Sequence, residues 1–149
     1  MQIVLAYVGG KAKSKQSYET AVHSYLERCS VLAKSQLQSF GTEQALLGWL
    51  DRQRGRTAPF AVFLDSRGRQ MSSDTFAAWL GERRDEGVQQ IVFAIGPADG
   101  WSEAAQARAQ LLLSLGPMTL AHELVRLVMA EQIYRAVTIL TGHPYHTGH

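Results

Sequence analysis

The sequence predicts one α/β domain over residues 1–149, a mainly parallel sheet with helices on both faces. Apolar strand-like runs alternate with helical patterns along the whole chain, the spacing that strand–helix–strand units require. Several of those runs, Phe60 to Leu64 and Ile91 to Ile95 among them, are apolar without alternation, as strands buried on both faces are. No internal repeat, low-complexity tract or linker divides the chain, and the one break in regularity is the polar stretch Asp51 to Thr57.

Gln2 to Val8 reads as the first strand. Ser14 to about Cys29 follows as a helix with Tyr18, Val22, Tyr25 and Leu26 on one face. Ser35 to Phe40 is a weaker strand. The next helix starts at Thr42, whose hydroxyl caps it, and buries Leu46, Leu47 and Leu50. Phe60 to Leu64 is a strand ended by the turn Asp65-Ser-Arg-Gly68. Ser72 and Ser73 cap a helix carrying Phe76, Trp79 and Leu80. Ile91 to Ile95 is the fourth strand, Ala104 to Ala109 a helix, Leu111 to Leu115 the fifth strand, and Thr119 to about Leu140 the last helix.

The 149 residues contain 46% hydrophobic side chains, enough to fold without staples. The single cysteine, Cys29, excludes an intrachain disulfide, and no charged-then-apolar leader opens the sequence, so a soluble protein of the reducing cytoplasm is expected. No apolar run approaches the ~20 residues that cross a bilayer, so no membrane partner is expected. Fifteen Lys and Arg against thirteen Asp and Glu give a net charge of only +2, which by itself does not announce nucleic acid. The cations are clustered, with Lys11, Lys13 and Lys15 after the first strand, Arg52, Arg54 and Arg56 after the second helix, and Arg67 and Arg69 in a turn. Such loops suit phosphate contacts or plain solvation.

Open α/β sheets bind ligands beyond the carboxyl ends of their strands, so the loops after Leu64, Ile95 and Leu115 should converge on a site. Each carries glycine: Gly68, then Gly96 and Gly100, then Gly116. Glycine permits close backbone approach to a ligand. The segment Gly96-Pro-Ala-Asp-Gly100 is neither a dinucleotide fingerprint nor a phosphate-cradling loop, which leaves an adenosine-type ligand held by backbone groups.

The last helix is apolar on more than one face. Leu120, Leu124, Leu127 and Val128 form one stripe, and Val125, Met129, Ile133, Ala136, Val137 and Leu140 occupy much of the remainder. A homodimer with this helix at a twofold interface is expected, with a core helix of a monomer as the alternative. His122 and Arg126 share a face of it, as do Glu131 and Arg135. His143, Pro144, Tyr145 and His146 close the chain with an aromatic, imidazole-rich segment suited to docking. Pro144 breaks any helix that would align the histidines, and no cysteine or carboxylate completes a set, so no metal is expected.

Six motifs occur in order: Leu-Asp-x-x-Gly from Leu64, Phe-Ala-Ile-Gly-x-Ala-Asp-Gly from Phe93, Leu-Ser-Leu-Gly-x-Met-Thr-Leu-x-His from Leu113, Leu-Val-Arg from Leu124, Glu-Gln-Ile-Tyr-Arg-Ala from Glu131 and Gly-His-Pro-Tyr-His from Gly142. Their combination resembles the RlmH family, small SPOUT-class methyltransferases acting on a pseudouridine of large-subunit ribosomal RNA. The motifs span essentially the second half of the chain, and the first half is similar in length and strand pattern. The resemblance implies a C-terminal trefoil knot and a homodimer that binds S-adenosylmethionine among the knot loops. It also implies methylation of N3 of a pseudouridine in 23S ribosomal RNA within the assembled ribosome, the neighbouring subunit's terminal segment presenting the base. By position, the cofactor contacts are Leu64, Gly96, Gly116, Pro117, Met118, Thr119, Leu120 and Ala121. Two departures stand out: Pro97 replaces a usual glycine and removes an amide donor, and Thr147-Gly148-His149 stands where a basic residue is common after His146.

Methyl transfer from a sulfonium releases a neutral thioether, so no general acid is needed, and in-line placement of the nucleophile dominates. His146 is the candidate base, Tyr145 positions the uracil ring, and Arg126 and Arg135 hold phosphate or developing negative charge. Two other readings stand beside this one, a non-catalytic dimeric ribosome- or RNA-binding module with the same fold and a small-molecule methyltransferase.

Overall fold

A computed structural model describes residues 1–9, 18–53 and 57–147. In chain order the elements are β1 (Gln2–Val8), α1 (Glu19–Leu32), β2 (Ser35–Phe40), α2 (Glu43–Arg52), β3 (Phe60–Gln70), α3 (Ser73–Asp85), β4 (Gln90–Ile95), α4 (Glu103–Arg108), β5 (Leu111–Ser114) and α5 (His122–Thr141), with a 3-10 turn at Pro144–His146. The five strands form one sheet in the order β2-β1-β4-β3-β5, and every pair is parallel.

Two-residue periodicity explains why β1 is apolar throughout. Ile3, Leu5 and Tyr7 join the core beneath α1, α3 and α5, whereas Val4, Ala6 and Val8 join the core on the other face with Leu46, Leu50, Trp101 and Ala105. Helices therefore cover both faces, as the sequence predicts. Hydroxyl caps fix three helix starts: Thr42, Ser72 and Ser102 each accept the amide of the residue three positions on at 3.1 Å. Gly142, in the left-handed region at φ 75°, ends α5 and turns the chain back before Pro144.

The structure corrects three expectations. The turn at Asp65-Ser-Arg-Gly68 does not end β3. Leu64 and Arg69 both lie opposite Leu113, so the four residues between them bulge out and pairing with β5 resumes. The Asp65 carboxylate caps this excursion by accepting the Arg67 amide at 2.9 Å. Secondly, α5 begins at His122 rather than Thr119, with no side-chain cap, because Ala121 keeps an extended ψ of 140°. Thirdly, α5 packs against α1 and α3 and contacts β1 and β4. Its Met129, Ala130, Ile133, Tyr134, Ala136 and Val137 are buried within this one chain. Much of its two-faced apolarity is thus explained inside the protomer, while Leu120, Leu124, Leu127 and Val128 stay half-buried.

The proposed start of α1 at Ser14 lies outside the described residues, as do Lys11, Lys13, Lys15, Arg54, Arg56, Gly148 and His149. Among the described residues no helix is long and apolar enough to cross a membrane.

Candidate functional site

The bulge within β3, the loops after β4 and β5 and the start of α5 enclose a cleft of about 440 Å³ at the carboxyl edge of the sheet. Six of the eight predicted cofactor contacts line it: Leu64, Gly96, Gly116, Met118, Thr119 and Leu120. Pro117 and Ala121 belong to the same β5–α5 loop without lining the cleft, and both are exposed. The volume suits an organic ligand of nucleoside size.

Trp101, unforeseen from the sequence, builds one wall. Its indole stacks on Phe63 with ring centroids 4.3 Å apart, and its N–H donates to the Leu64 carbonyl at 2.9 Å. A Cβ on Gly96 would lie 2.7 Å from the same indole, so the glycine is required for β4 to leave the sheet against the ring. Pro97 also lines the cleft, and its carbonyl accepts the Gly100 amide at 2.9 Å, closing the β4–α4 turn.

The start of α5 is tied to this wall by a fixed imidazole. Arg126 donates to Nδ1 of His122 at 3.2 and 2.9 Å, and His122 Nε2 lies 2.7 Å from the Gly96 carbonyl. A guanidinium only donates, so Nδ1 must accept and Nε2 must carry the proton given to Gly96. Arg126 also covers the Tyr7 ring, its Cζ 3.7 Å from the centroid. Burial, with Arg126's charge added, lowers the pKa of His122 below its usual 6.5. A depressed histidine contributes stability in full above the unfolded-state value and loses it as pH falls toward the folded one. Thermal melts should therefore show wild type losing stability relative to His122→Gln below pH 6.5. A difference between the two proteins that stays constant from pH 8 to 5, roughly the span in which imidazoles titrate, would count against this.

The remaining predicted catalytic residues form a second constellation. Arg135 donates to Glu131 Oε1 from Nε and Nη2 at 2.9 and 2.6 Å, and from Nη1 to Nδ1 of His146 at 2.8 Å. Nε2 of His146 sits 3.3 Å from Asp74. The Tyr145 hydroxyl donates to Glu131 at 3.1 Å, and its ring meets Tyr134 edge-on at 4.7 Å. Burial, then hydrogen bonds with Tyr25 and Glu131, push the Tyr145 phenol far above its usual range, so it remains neutral. Arg28, also absent from the sequence reading, lies 4.4 Å from the Tyr134 centroid and 5.4 Å from that of Tyr145.

Within one chain the four predicted catalytic residues therefore separate. Arg126 stands beside the cleft; Arg135 is nine residues further on, about 13 Å along the helix axis at 1.5 Å per residue. Neither Arg135, Tyr145 nor His146 lines the cleft. Among the described residues no group of three or more His, Cys, Asp or Glu is placed to hold a metal ion.

A family profile described as "Predicted SPOUT methyltransferase" matches residues 1–146. Over 150 aligned positions the chain is 47% identical to "Ribosomal RNA large subunit methyltransferase H" of Koribacter versatilis, covering 100% of both chains. A protein of the same name from Rhizobium meliloti is 55% identical over 85 residues, 57% of this chain and 53% of that one. Two solved structures share the fold. The SpoU methyltransferase AviRb of Streptomyces viridochromogenes, in complex with the cofactor AdoMet, superposes with a TM-score of 0.50 at 11% identity, over 95% of this chain and 58% of that one. A probable methylase family protein of Haemophilus influenzae does so with a TM-score of 0.51 at 10% identity, over 99% and 70%.

Proposed function

The chain belongs to the SPOUT methyltransferase family, and from that premise we propose that it methylates large-subunit ribosomal RNA with S-adenosylmethionine, at N3 of a pseudouridine in the assembled ribosome. The observation that carries this reading is the full-length identity of 47% to a ribosomal RNA large-subunit methyltransferase. The cleft fits the cofactor in kind. Apolar side chains of Ile95, Leu113 and Leu120 suit an adenosine, and Gly100 and Gly116 leave open space where side chains would intrude. When bound, S-adenosylmethionine supplies an electrophilic methyl on a sulfonium.

The protein's part is to hold and orient. Leu64, Gly96 and the loop from Gly116 to Leu120, with Pro117 and Ala121 shaping it, would enclose the cofactor. His122 and Arg126 brace the Gly96 turn from behind. A reacting N3 loses a proton as its bond to carbon forms, and His146 is the candidate acceptor. In the docked tail Nδ1 of His146 is occupied by Arg135 and Nε2 faces Asp74, so accepting that proton requires one of these contacts to open.

Because Arg135, Tyr145 and His146 stand apart from the cleft of their own chain, a homodimer offers the second half of the site, one subunit's tail facing its neighbour's cleft. The half-buried stripe Leu120, Leu124, Leu127 and Val128, with Leu115 and Met118 exposed nearby, is apolar surface available for that contact. Family membership likewise supports a trefoil knot in the C-terminal region and a cytoplasmic site of action beside the ribosome.

The test is transfer of labelled methyl to ribosomes lacking the modification, with protein-free RNA and free nucleosides in parallel. Label should enter ribosomes alone, and His146→Ala should lower the rate on the order of 10²-fold, as loss of a general base does. Labelling of free nucleosides would favour a small-molecule enzyme, and absence of any transfer would favour a binding module.

A further inference from the structure

The bulge in β3 carries charge into a cleft that otherwise has little. Of the described residues lining it, Asp65, Arg67 and Asp99 are the charged ones, with His122 held neutral as its Nε2–H tautomer, so Arg67 is the one cation. A methyl donor with an amino-acid end brings an α-carboxylate to the rim of this space, and a guanidinium matches a carboxylate in both charge and fork geometry. We propose that Arg67 is the anchor for the α-carboxylate of the donor's amino-acid end and that Asp65 is the positioning residue that aims it. This rests on the reading of the cleft as an S-adenosylmethionine site.

Three features of the bulge support the assignment. Asp65 holds the guanidinium from one side, Nε to Oδ1 and Nη2 to Oδ2, each at 3.1 Å, and its own Oδ1 also accepts the Arg67 amide. These hydrogen bonds from Arg67 keep the Asp65 carboxyl below its usual range, so the pair stays ionised. The Asp65 side chain is only 7% exposed whereas that of Arg67 is 69% exposed, so the carboxylate is the fixed member and the guanidinium the one that offers itself to a ligand. Nη1 does not bond Asp65 and is left for an incoming oxygen. Finally, the bulge exists because Leu64 and Arg69 share Leu113 as partner, which pushes residues 65–68 out of the ladder beside the predicted cofactor contact Leu64.

Two ligands separate this role from general support of the cleft. S-Adenosylhomocysteine retains the amino-acid end; 5′-methylthioadenosine keeps the adenosine and thioether and lacks it. Calorimetric titration of the intact protein should show Arg67→Ala binding the first about tenfold more weakly, the worth of one charge-assisted hydrogen bond, and the second unchanged. Arg67→Lys, which keeps charge without the fork, should fall between, and Asp65→Asn should weaken the first ligand selectively as well. Equal weakening of both ligands by Arg67→Ala, or no weakening of either, would overturn the assignment. Wild type binding neither ligand would instead remove the cofactor reading itself, and this inference with it.

Discussion

Replacing Gly68 with alanine should unfold the protein far more readily than any surface change of that size. A Cβ at this position would sit 2.5 Å from both the carbonyl carbon and oxygen of Leu112 and 2.7 Å from the Leu113 nitrogen. The obstacle is backbone, and it belongs to β5, which is held in the ladder with β3 on either side of the bulge. Neither partner can yield by rotating a side chain, so the variant must break strand pairing or open the bulge. Overpacking of this kind costs ~3 kcal/mol or more. For a chain of this length that corresponds to a fall in Tm of ~10 °C. Thermal and urea melts read it directly, and a variant melting within about 2 °C of wild type would contradict the described approach of the two strands.

Arg135→Ala should have the largest effect on activity. The change removes both N–H bonds to Glu131, the bond to His146 Nδ1, and a cation 5.0 Å from the Tyr145 ring. Glu131, with a side chain 19% exposed, would keep only the Tyr145 hydroxyl and the Gln132 amide among these partners. Tyr145 and His146 would then lose their common orientation, and misplacement of this order costs roughly 10²-fold or more in rate. The expected result on ribosomes is a fall in kcat/KM on the order of 10²–10³-fold with stability reduced by only ~1–2 kcal/mol. Arg135→Lys should not restore it, because an ammonium cannot bond Glu131 and His146 together in the same planar fork. Retention of a third or more of wild-type activity by the alanine variant would show that the tail is not part of the reacting site.

Strand β1 and the two helix starts at Thr42 and Ser72 follow from local sequence, through unbroken apolarity in one case and hydroxyls at cap positions in the others, whereas the Ser102 cap of α4 is absent from the sequence reading. Thr42 and Ser72 are legible for that reason. The error at Asp65-Ser-Arg-Gly68 has the opposite origin. Those residue types favour a turn, and they do turn, but the strand resumes because β5 offers further pairing, a non-local fact. Thr119 is a good cap by type, yet the chain keeps it in the loop that lines the cleft. The overestimate of free apolar surface on α5 arises in the same way, since only the strand order places that helix over β1 and β4 between two neighbours.

Within the site, the glycines after β4 and β5 are legible because ligands gather at the carboxyl edge of parallel strands, whereas Gly68, expected there too, is packed against the β5 backbone instead. Tyr7 beneath Arg126 is not, for nothing local links residues 119 positions apart in the sequence. Trp101 could have been suspected only by asking what Gly96 must approach. Motif matching finds Arg135, Tyr145 and His146 as a set, but it does not reveal that Arg28 and Asp74 hold the same segment.

Strand β3 has no neighbour in the sheet except β4 and β5, both of which are made after it. A nascent chain that has emerged as far as Asp85 can pair β1 with β2, while β3 waits with its edges bare and its apolar residues uncovered. The central β1–β4 ladder closes only when residues 90–95 arrive, and apart from the stretch Leu64 to Arg67 and Ile95 the residues lining the cleft come from still later segments. Truncation anywhere before α5 should thus yield aggregating fragments rather than a smaller working enzyme, and newly made chains would pass through a window of dependence on chaperones.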